Sequence, residues 1–408
     1  MKIDRVETFV VGVPPPHLGG VNWVFVKLTS DDGIVGWGEC NGCAYREKTL
    51  VTLVHEVCEH FVVGKHDPLD AESRWAELYS GDATVAVKTW SNWRNGGAFA
   101  MQALAAIDMA CWDIAGKALG QPVYNLLGGK YRNTVRTYTY LTGWAAGEPP
   151  ERAAEAASRL MERGFTALKL DPIPPYFPQP REIGLQEISY SEKVVAAIRD
   201  AVGDRADILI GTHGQLTTHS AIRFAKAMEP FRPLWLEEPV PPENPAEMAR
   251  VAQHTSIPIA TGERLATKWA FAPLLEQQAA QVLQINVGLN GLLESRKIAS
   301  LAEASYAQIA PWIYCGPVAG AASIQLDVAI PNFLIQEGLD DWGGFSAEVM
   351  QDPVAWKQGY ITPSAKPGLG ADLREDVLRR HPMNEYSALR AKGPVDRYAD
   401  RARNPPRP

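Results

Sequence analysis

From about residue 136 onward, eight short apolar runs recur with helical stretches between them. They read TYTYLTGW (137–144), TALKLD (166–171), DILIGTHG (207–214), PLWLEEP (233–239), PIATGER (258–264), VLQINVG (282–288), YAQIAPW (306–312) and NFLIQE (332–337). ERAAEAASRLMERG precedes the second run and HSAIRFAKAMEP follows the third, both with helical periodicity. Antiparallel neighbours need only a turn between them, whereas parallel strands need a crossover, usually a helix. Eight strands alternating with helices therefore predict an α/β fold with a parallel sheet closed into a barrel. An open doubly wound sheet is the alternative, but no G-x-G-x-x-G follows any run.

The N-terminal third has a different texture. Residues 22–40 alternate in strand fashion on either side of Asp31-Asp32-Gly33, a hairpin turn signal. Residues 46–60 and 98–119 show helical spacing, and the second stretch stops at Gly120 and Pro122. The expected division is an α+β domain over 1–135, a barrel over 136–340, and a C-terminal segment over 341–408 that packs back on the first domain and frays at RNPPRP. The Pro-rich stretch 172–187 follows the carboxyl end of a strand, where barrels build their active sites. It is expected to act as a lid.

Composition narrows the function classes. A net charge of -7 over 408 residues, with no basic stripe, argues against a nucleic-acid partner. No uninterrupted apolar run reaches the roughly 18 residues of a membrane span. The opening MKIDRVETFVVGVPPP carries Asp4, Arg5 and Glu7 where a secretory core would be apolar, so a cytoplasmic location is expected. Five cysteines form an odd, sparse set that suits a reducing compartment. Cys40 and Cys43 are spaced C-x-x-C, but with no second pair they read as a loop rather than a zinc site.

In a barrel, chemistry sits at the carboxyl ends of the strands. Those ends hold Lys169 and Asp171, Gly211 and His213, Glu237 and Glu238, Glu263, Asn286, Trp312 and Glu337. Carboxylates converging on one point repel and call for a cation, and Mg²⁺ suits oxygen ligands while keeping waters open to substrate. Glu237 and Glu238 are adjacent, so only one can face the barrel axis and the other needs a salt-bridge or capping partner.

The motifs resemble the mandelate racemase-like branch of the enolase superfamily, especially its galactonate dehydratase-like members. The matching stretches run in family order: WVFVKLTSDDGIVGWGE, AIDMACWDIAGKALGQPVYNLLGG, WLEEPVPPEN, PIATGERL, APW with IYCGPVAGAASIQL, PNFLIQE, and PGLG near residue 367. The resemblance implies an α+β capping domain built from both chain ends over a (β/α)₇β barrel. It also implies removal of a proton next to a carboxylate, giving an enediolate held by Mg²⁺, followed in dehydratases by expulsion of a β-hydroxyl. The substrate implied is a small-molecule carboxylate of the sugar-acid class, and the assembly a homo-oligomer.

Role by role, the resemblance makes Glu237 and Glu263 metal ligands, His213 the general acid, and Glu337 the acid that hydrogen-bonds or protonates the substrate carboxylate. Gly211 stands where the family has its third acidic ligand, Asn286 where it has an aspartate, and Trp312 where it has the histidine base. The racemases' Lys-x-Lys reads Lys169-Leu170-Asp171. With the family His–Asp dyad absent, the base must be His213, Lys169 or Asp171, and His213 alone can take a proton and return it to the leaving group on the same face. Asp171 shares strand parity with Lys169 and is a candidate to compensate for Gly211. Asn286, Trp312 and Tyr314 are expected to bind the substrate, the two aromatic rings by stacking on it. The chain is expected to be a carbon–oxygen lyase or an isomerase; the other reading is a barrel that binds a ligand without turnover.

Overall fold

The computed structural model describes residues 1–41, 45–80, 96–174 and 180–386. Cys43 of the C-x-x-C pair, residues 175–179 of the expected lid and the tail beyond 386 lie outside the described residues.

The N-terminal sheet is an antiparallel meander of β1 (Ile3–Gly12), β2 (Asn22–Ser30) and β3 (Val35–Cys40). The expected hairpin forms at Asp31-Asp32-Gly33. Gly33 adopts a φ of +85° that favours glycine, and its N–H donates to Ser30 O at 2.9 Å. Helices α1 (Glu47–Phe61), α2 (Ala71–Ser80) and α3 (Gly97–Ala118) cover this sheet. Among the described residues α3 is the one helix long and apolar enough to cross a membrane, but most of it is buried between β3 and the barrel helix Val287–Ala304. Cys40, Cys58, Cys111 and Cys315 are buried in the core.

The barrel consists of β4 (Val135–Tyr140), β5 (Ala167–Leu170), β6 (Asp207–Gly211), β7 (Trp235–Glu237), β8 (Ile259–Thr261), β9 (Val282–Leu283), β10 (Gln308–Ile309) and β11 (Gln336–Glu337). Consecutive strands from β4 to β10 pair in parallel. β11 then pairs with β4, and a bridge from Ile309 to Phe333 closes the ring. Seven of the eight fall within the apolar runs read from the sequence, and β4 starts two residues ahead of the first run. The α/β barrel class is therefore observed, and the open sheet is not.

Strand alternation divides the side chains into two cores. Tyr138, Ala167, Leu209, Trp235, Ala260, Val282, Ala310 and Ile335 form an apolar cluster inside the barrel. Tyr138 and Trp235 meet edge to face there, with ring centroids 5.4 Å apart. Their strand neighbours Leu168, Leu170, Ile208, Ile210 and Leu236 face outward under the helices. The inner cluster is a floor. Two residues further along five of these strands come Lys169, Gly211, Glu237, Gln284 and Glu337, which places the polar layer directly above it.

The C-terminal segment makes two attachments. The hairpin β12 (Ala355–Lys357) and β13 (Tyr360–Thr362) pairs antiparallel with β4 at the base of the barrel. The chain then returns to the N-terminal domain through Lys117–Asp372 (2.6 Å), Lys27–Glu375 (2.6 Å) and Asn384 Nδ2 donating to Val13 O at 2.9 Å.

Buried carboxylates hold the two domains in register. Glu39, at the end of β3, accepts from the backbone N–H groups of Gly316, Val318 (3.1 Å) and Ala319 (3.0 Å), the otherwise unpaired donors at the start of helix Pro317–Ala329. Asp108 of α3 accepts from Leu292 N (2.8 Å) and Leu293 N (3.1 Å), where Gly291 kinks helix Val287–Ala304.

Candidate active site

Lys169 lies at the centre of the polar layer, fully buried. Its Nζ is 2.5 Å from Glu237 Oε1 and 3.6 Å from Glu337 Oε1. Burial alone would push the Lys169 ammonium down, but Glu237 and Glu337 outweigh it and hold the group well above its usual range. Of the three candidate bases, Lys169 is thus the one whose proton two carboxylates stabilise. Glu237 also accepts from Trp235 Nε1 at 3.2 Å, and Lys169 keeps its carboxyl below the ordinary value despite burial.

Glu238 points elsewhere, as adjacency demanded. Arg264 donates to it from Nε (3.1 Å) and from the guanidinium terminus (2.7 Å), a bidentate pair around a fully buried carboxylate. Glu263 has no such partner. It is 9% exposed, its Oε2 is buried without a hydrogen bond, and burial together with Glu238 and Glu237 pushes its carboxyl well above the usual range. Glu337 accepts from Ile313 N–H at 2.8 Å, and burial raises it to about 7 against the pull of Lys169.

His213 and Asp171 form a second group at the mouth. β6 ends at Gly211, and His213 sits in a left-handed turn with φ +51°. Parity along the strand therefore does not aim it; the turn does. Its Nδ1 is 3.6 Å from Asp171 Oδ2 and its Nε2 is 3.4 Å from the Tyr140 hydroxyl. The Asp171 carboxylate leans across to β6, and a Cβ built on Gly211 would run into Asp171 Oδ1. Burial raises the Asp171 carboxyl, with His213 and Lys169 opposing.

The remaining candidates are scaffolding or rim. Asn286 is 1% exposed and its Nδ2 donates to Glu263 O at 3.3 Å, so it ties the ends of β8 and β9 together. Trp312 is half-buried, its backbone N–H donating to Ile285 O at 3.1 Å, and Tyr314 is 41% exposed. Sequence reasoning passed over Tyr140, Arg264 and Gln284. The last was detectable in principle, since Gln284 lies two residues beyond the floor residue Val282.

Taken together, five carboxyl groups (Asp171, Glu237, Glu238, Glu263 and Glu337) stand with two basic groups, Lys169 and Arg264. Among the described residues no three His, Cys, Asp or Glu side chains stand close enough together to hold a metal ion as they are, and Glu237 is paired with Lys169. The donor chemistry nevertheless fits a hard divalent cation. There is surplus negative charge, and two buried carboxylate oxygens, Glu263 Oε2 and Asp171 Oδ1, lack partners.

Residues 151–377 match the Enolase C-terminal domain-like family, and residues 16–128 match the mandelate racemase/muconate lactonizing enzyme N-terminal domain. The chain is 35% identical to a D-galactonate dehydratase of Variovorax paradoxus over 98% of each chain. It is 33% identical to one of Pectobacterium atrosepticum, over 98% of this chain and 99% of that one. A solved mandelate racemase/muconate lactonizing enzyme from Sulfitobacter superposes with a TM-score of 0.87 at 40% identity, covering 94% of this chain and 96% of the other. Dehydratases are carbon–oxygen lyases, and likeness of this extent makes the chain an enzyme of that kind. It belongs to the enolase superfamily, in the mandelate racemase-like branch with the galactonate dehydratase-like enzymes.

Proposed function

We propose that the protein is a Mg²⁺-dependent dehydratase of a sugar acid that works without the family's His–Asp dyad. The observation that carries this reading is Glu263, a buried carboxyl with an unpartnered oxygen among four other carboxyls. Such a group is stable as a charge only beside a cation. Glu237 and Glu263 would hold the metal. When bound, the ion supplies charge stabilisation for the carboxylate of the substrate as its α-proton leaves.

The chain's own residues divide the remaining work. His213 is the accessible imidazole at the mouth, positioned by Asp171, and takes the α-proton before returning it to the departing β-hydroxyl as water. Glu337, held near neutrality by burial, donates a hydrogen bond to the substrate carboxylate. Lys169 remains an ammonium and balances charge. Trp312 and Tyr314 form the wall against which the sugar acid packs. The protein is further proposed to act in the cytoplasm as a homo-oligomer.

Trp312 and Asn286 favour a second reading, a barrel that binds a carboxylate without turnover, since neither can serve as the base or orient one. Keto-acid formation over a panel of sugar acids, with and without Mg²⁺, separates the two. Metal-dependent product from any member supports the dehydratase. Binding of sugar acids by calorimetry with no product from any of them supports the binding barrel.

A further inference from the structure

We infer that Tyr140 is a catalytic residue of the dehydration, its phenol hydroxyl donating a hydrogen bond to the departing β-hydroxyl of the substrate while His213 gives that oxygen its proton. This rests on the reading of the protein as a dehydratase with His213 as its acid/base group.

Tyr140 is the last residue of β4, the first barrel strand, and its register partner on β5 is Lys169. It lies two residues beyond the floor residue Tyr138, so its side chain joins the polar layer on the same face. The Lys169 ammonium stands 4.9 Å from the centroid of its ring, a cation–π contact that fixes where the ring lies. From there the hydroxyl reaches to 3.4 Å from His213 Nε2. Both residues are half-buried, at the open end of the barrel.

That distance carries the inference. Nδ1 of His213 is turned toward Asp171, so Nε2 is the nitrogen that meets the substrate. An oxygen held by Nε2 at about 2.9 Å can lie within the same reach of the phenol, because the two groups are near neighbours. Burial, with Asp171 the nearest added negative charge, pushes the Tyr140 phenol well above its usual range. It therefore donates a hydrogen bond and keeps its own proton. In the reaction the α C–H bond breaks and Nε2 takes the proton. The electron pair becomes the new carbon–carbon double bond as the β C–O bond breaks. The proton on Nε2 then moves to the departing oxygen, which leaves as water. Tyr140 stabilises the charge growing on that oxygen and is unchanged at the end. A donor at this position also selects acids that carry an oxygen on the β carbon.

The test is Tyr140→Phe, which keeps the ring beside Lys169, assayed with MgCl₂ in D₂O on the best sugar acid of the panel. Keto-acid formation should slow by roughly 10–100-fold, the cost of one hydrogen bond to an oxygen gaining charge. Exchange of the α-proton for deuterium in recovered substrate should persist, so the ratio of exchange to product rises. A merely structural defect would lower both together. A second measurement does not need this variant. On the His213→Asn background, calorimetry with a sugar acid and its β-deoxy analogue should show the hydroxyl strengthening binding by roughly tenfold, the worth of one hydrogen bond. Undiminished product from Tyr140→Phe, a parallel fall in exchange and product, or equal binding of the two acids overturns the assignment and leaves the dehydratase reading in place. An unmodified chain that neither exchanges the α-proton nor forms keto acid from any sugar acid overturns both.

Discussion

His213 Nδ1 lies 3.6 Å from Asp171 Oδ2, and the two residues come from neighbouring strands, the third and second of the barrel. A histidine and an aspartate are thus coupled at the mouth even though the sixth- and seventh-strand positions hold Asn286 and Trp312. An Nδ1–H directed at a carboxylate leaves Nε2 as the working nitrogen, here 3.4 Å from the Tyr140 hydroxyl.

His213→Asn is expected to lower kcat by about 10²–10⁴-fold, the usual loss for a positioned acid/base group. Mg²⁺ affinity should hardly change, because the imidazole is not among the proposed ligands. Steady-state kinetics on the best sugar acid, beside Mg²⁺ calorimetry, checks both halves. Undiminished turnover would remove His213 from the chemistry.

Glu337 introduces a pH dependence. Its carboxyl is raised to about 7 by burial, with Lys169 and Glu237 as its charged neighbours and His213 beyond them. The protonated form, needed as donor to the substrate carboxylate, is present below that value and lost above it. kcat/KM should therefore fall as pH rises through about 7. Glu337→Gln, which cannot ionise, should flatten that limb. A profile unchanged by the substitution would assign the limb to another group.

Asn286→Asp by itself should destabilise the fold by about 1–3 kcal/mol, since the change removes the donor to Glu263 O and leaves a buried carboxylate unpaired. Combined with Trp312→His it should recover part of that loss, because a histidine supplies the missing partner. Thermal midpoints of the two single variants and the double measure the coupling. Strict additivity would mean that residues 286 and 312 do not interact.

Glu39 ties the N-terminal sheet to helix Pro317–Ala329, and burial lifts its carboxyl from 4.5 to about 7 in the folded chain. Between those values the folded protein holds a proton that the unfolded chain has released. Its contribution to stability therefore falls as pH rises from 4.5 through 7 and levels off above. The whole effect is about 3 kcal/mol. Denaturation midpoints of the parent at pH 5 and pH 8, compared with Glu39→Gln, should show the variant losing this part of the slope. Equal slopes would show that Glu39 ionises no differently when folded.

The barrel was legible because its signal is repetitive. Each run is apolar on both faces, inward to the floor at Leu209 and Trp235 and outward to the helices at Ile208 and Leu236, so burial alone marks it as a parallel strand. The strand-end carboxyls Glu237, Glu263 and Glu337 were legible for a related reason, since position on a barrel strand largely determines which end a residue occupies. The Lys169 proton was not. A lysine among strand-end carboxyls reads in the sequence only as a candidate base, and the fold alone puts Glu237 2.5 Å from it.

The sequence by itself determined the barrel and most of the polar residues at its mouth, though not Tyr140, Arg264 or Gln284, because periodicity and strand parity are local properties. Which of those residues face one another was decided only by the tertiary structure. Pairing of β5 with β6 brings the Asp171 carboxylate beside Gly211, and the turn at His213 brings its ring back toward Asp171. Neither relationship exists along the chain, where about forty residues separate the partners. Electrostatics follow the same rule: burial and the charges brought within a few ångströms by the fold set which carboxyls keep their protons. A glycine that reads in the sequence as a missing ligand becomes, in three dimensions, the space for the carboxylate beside it.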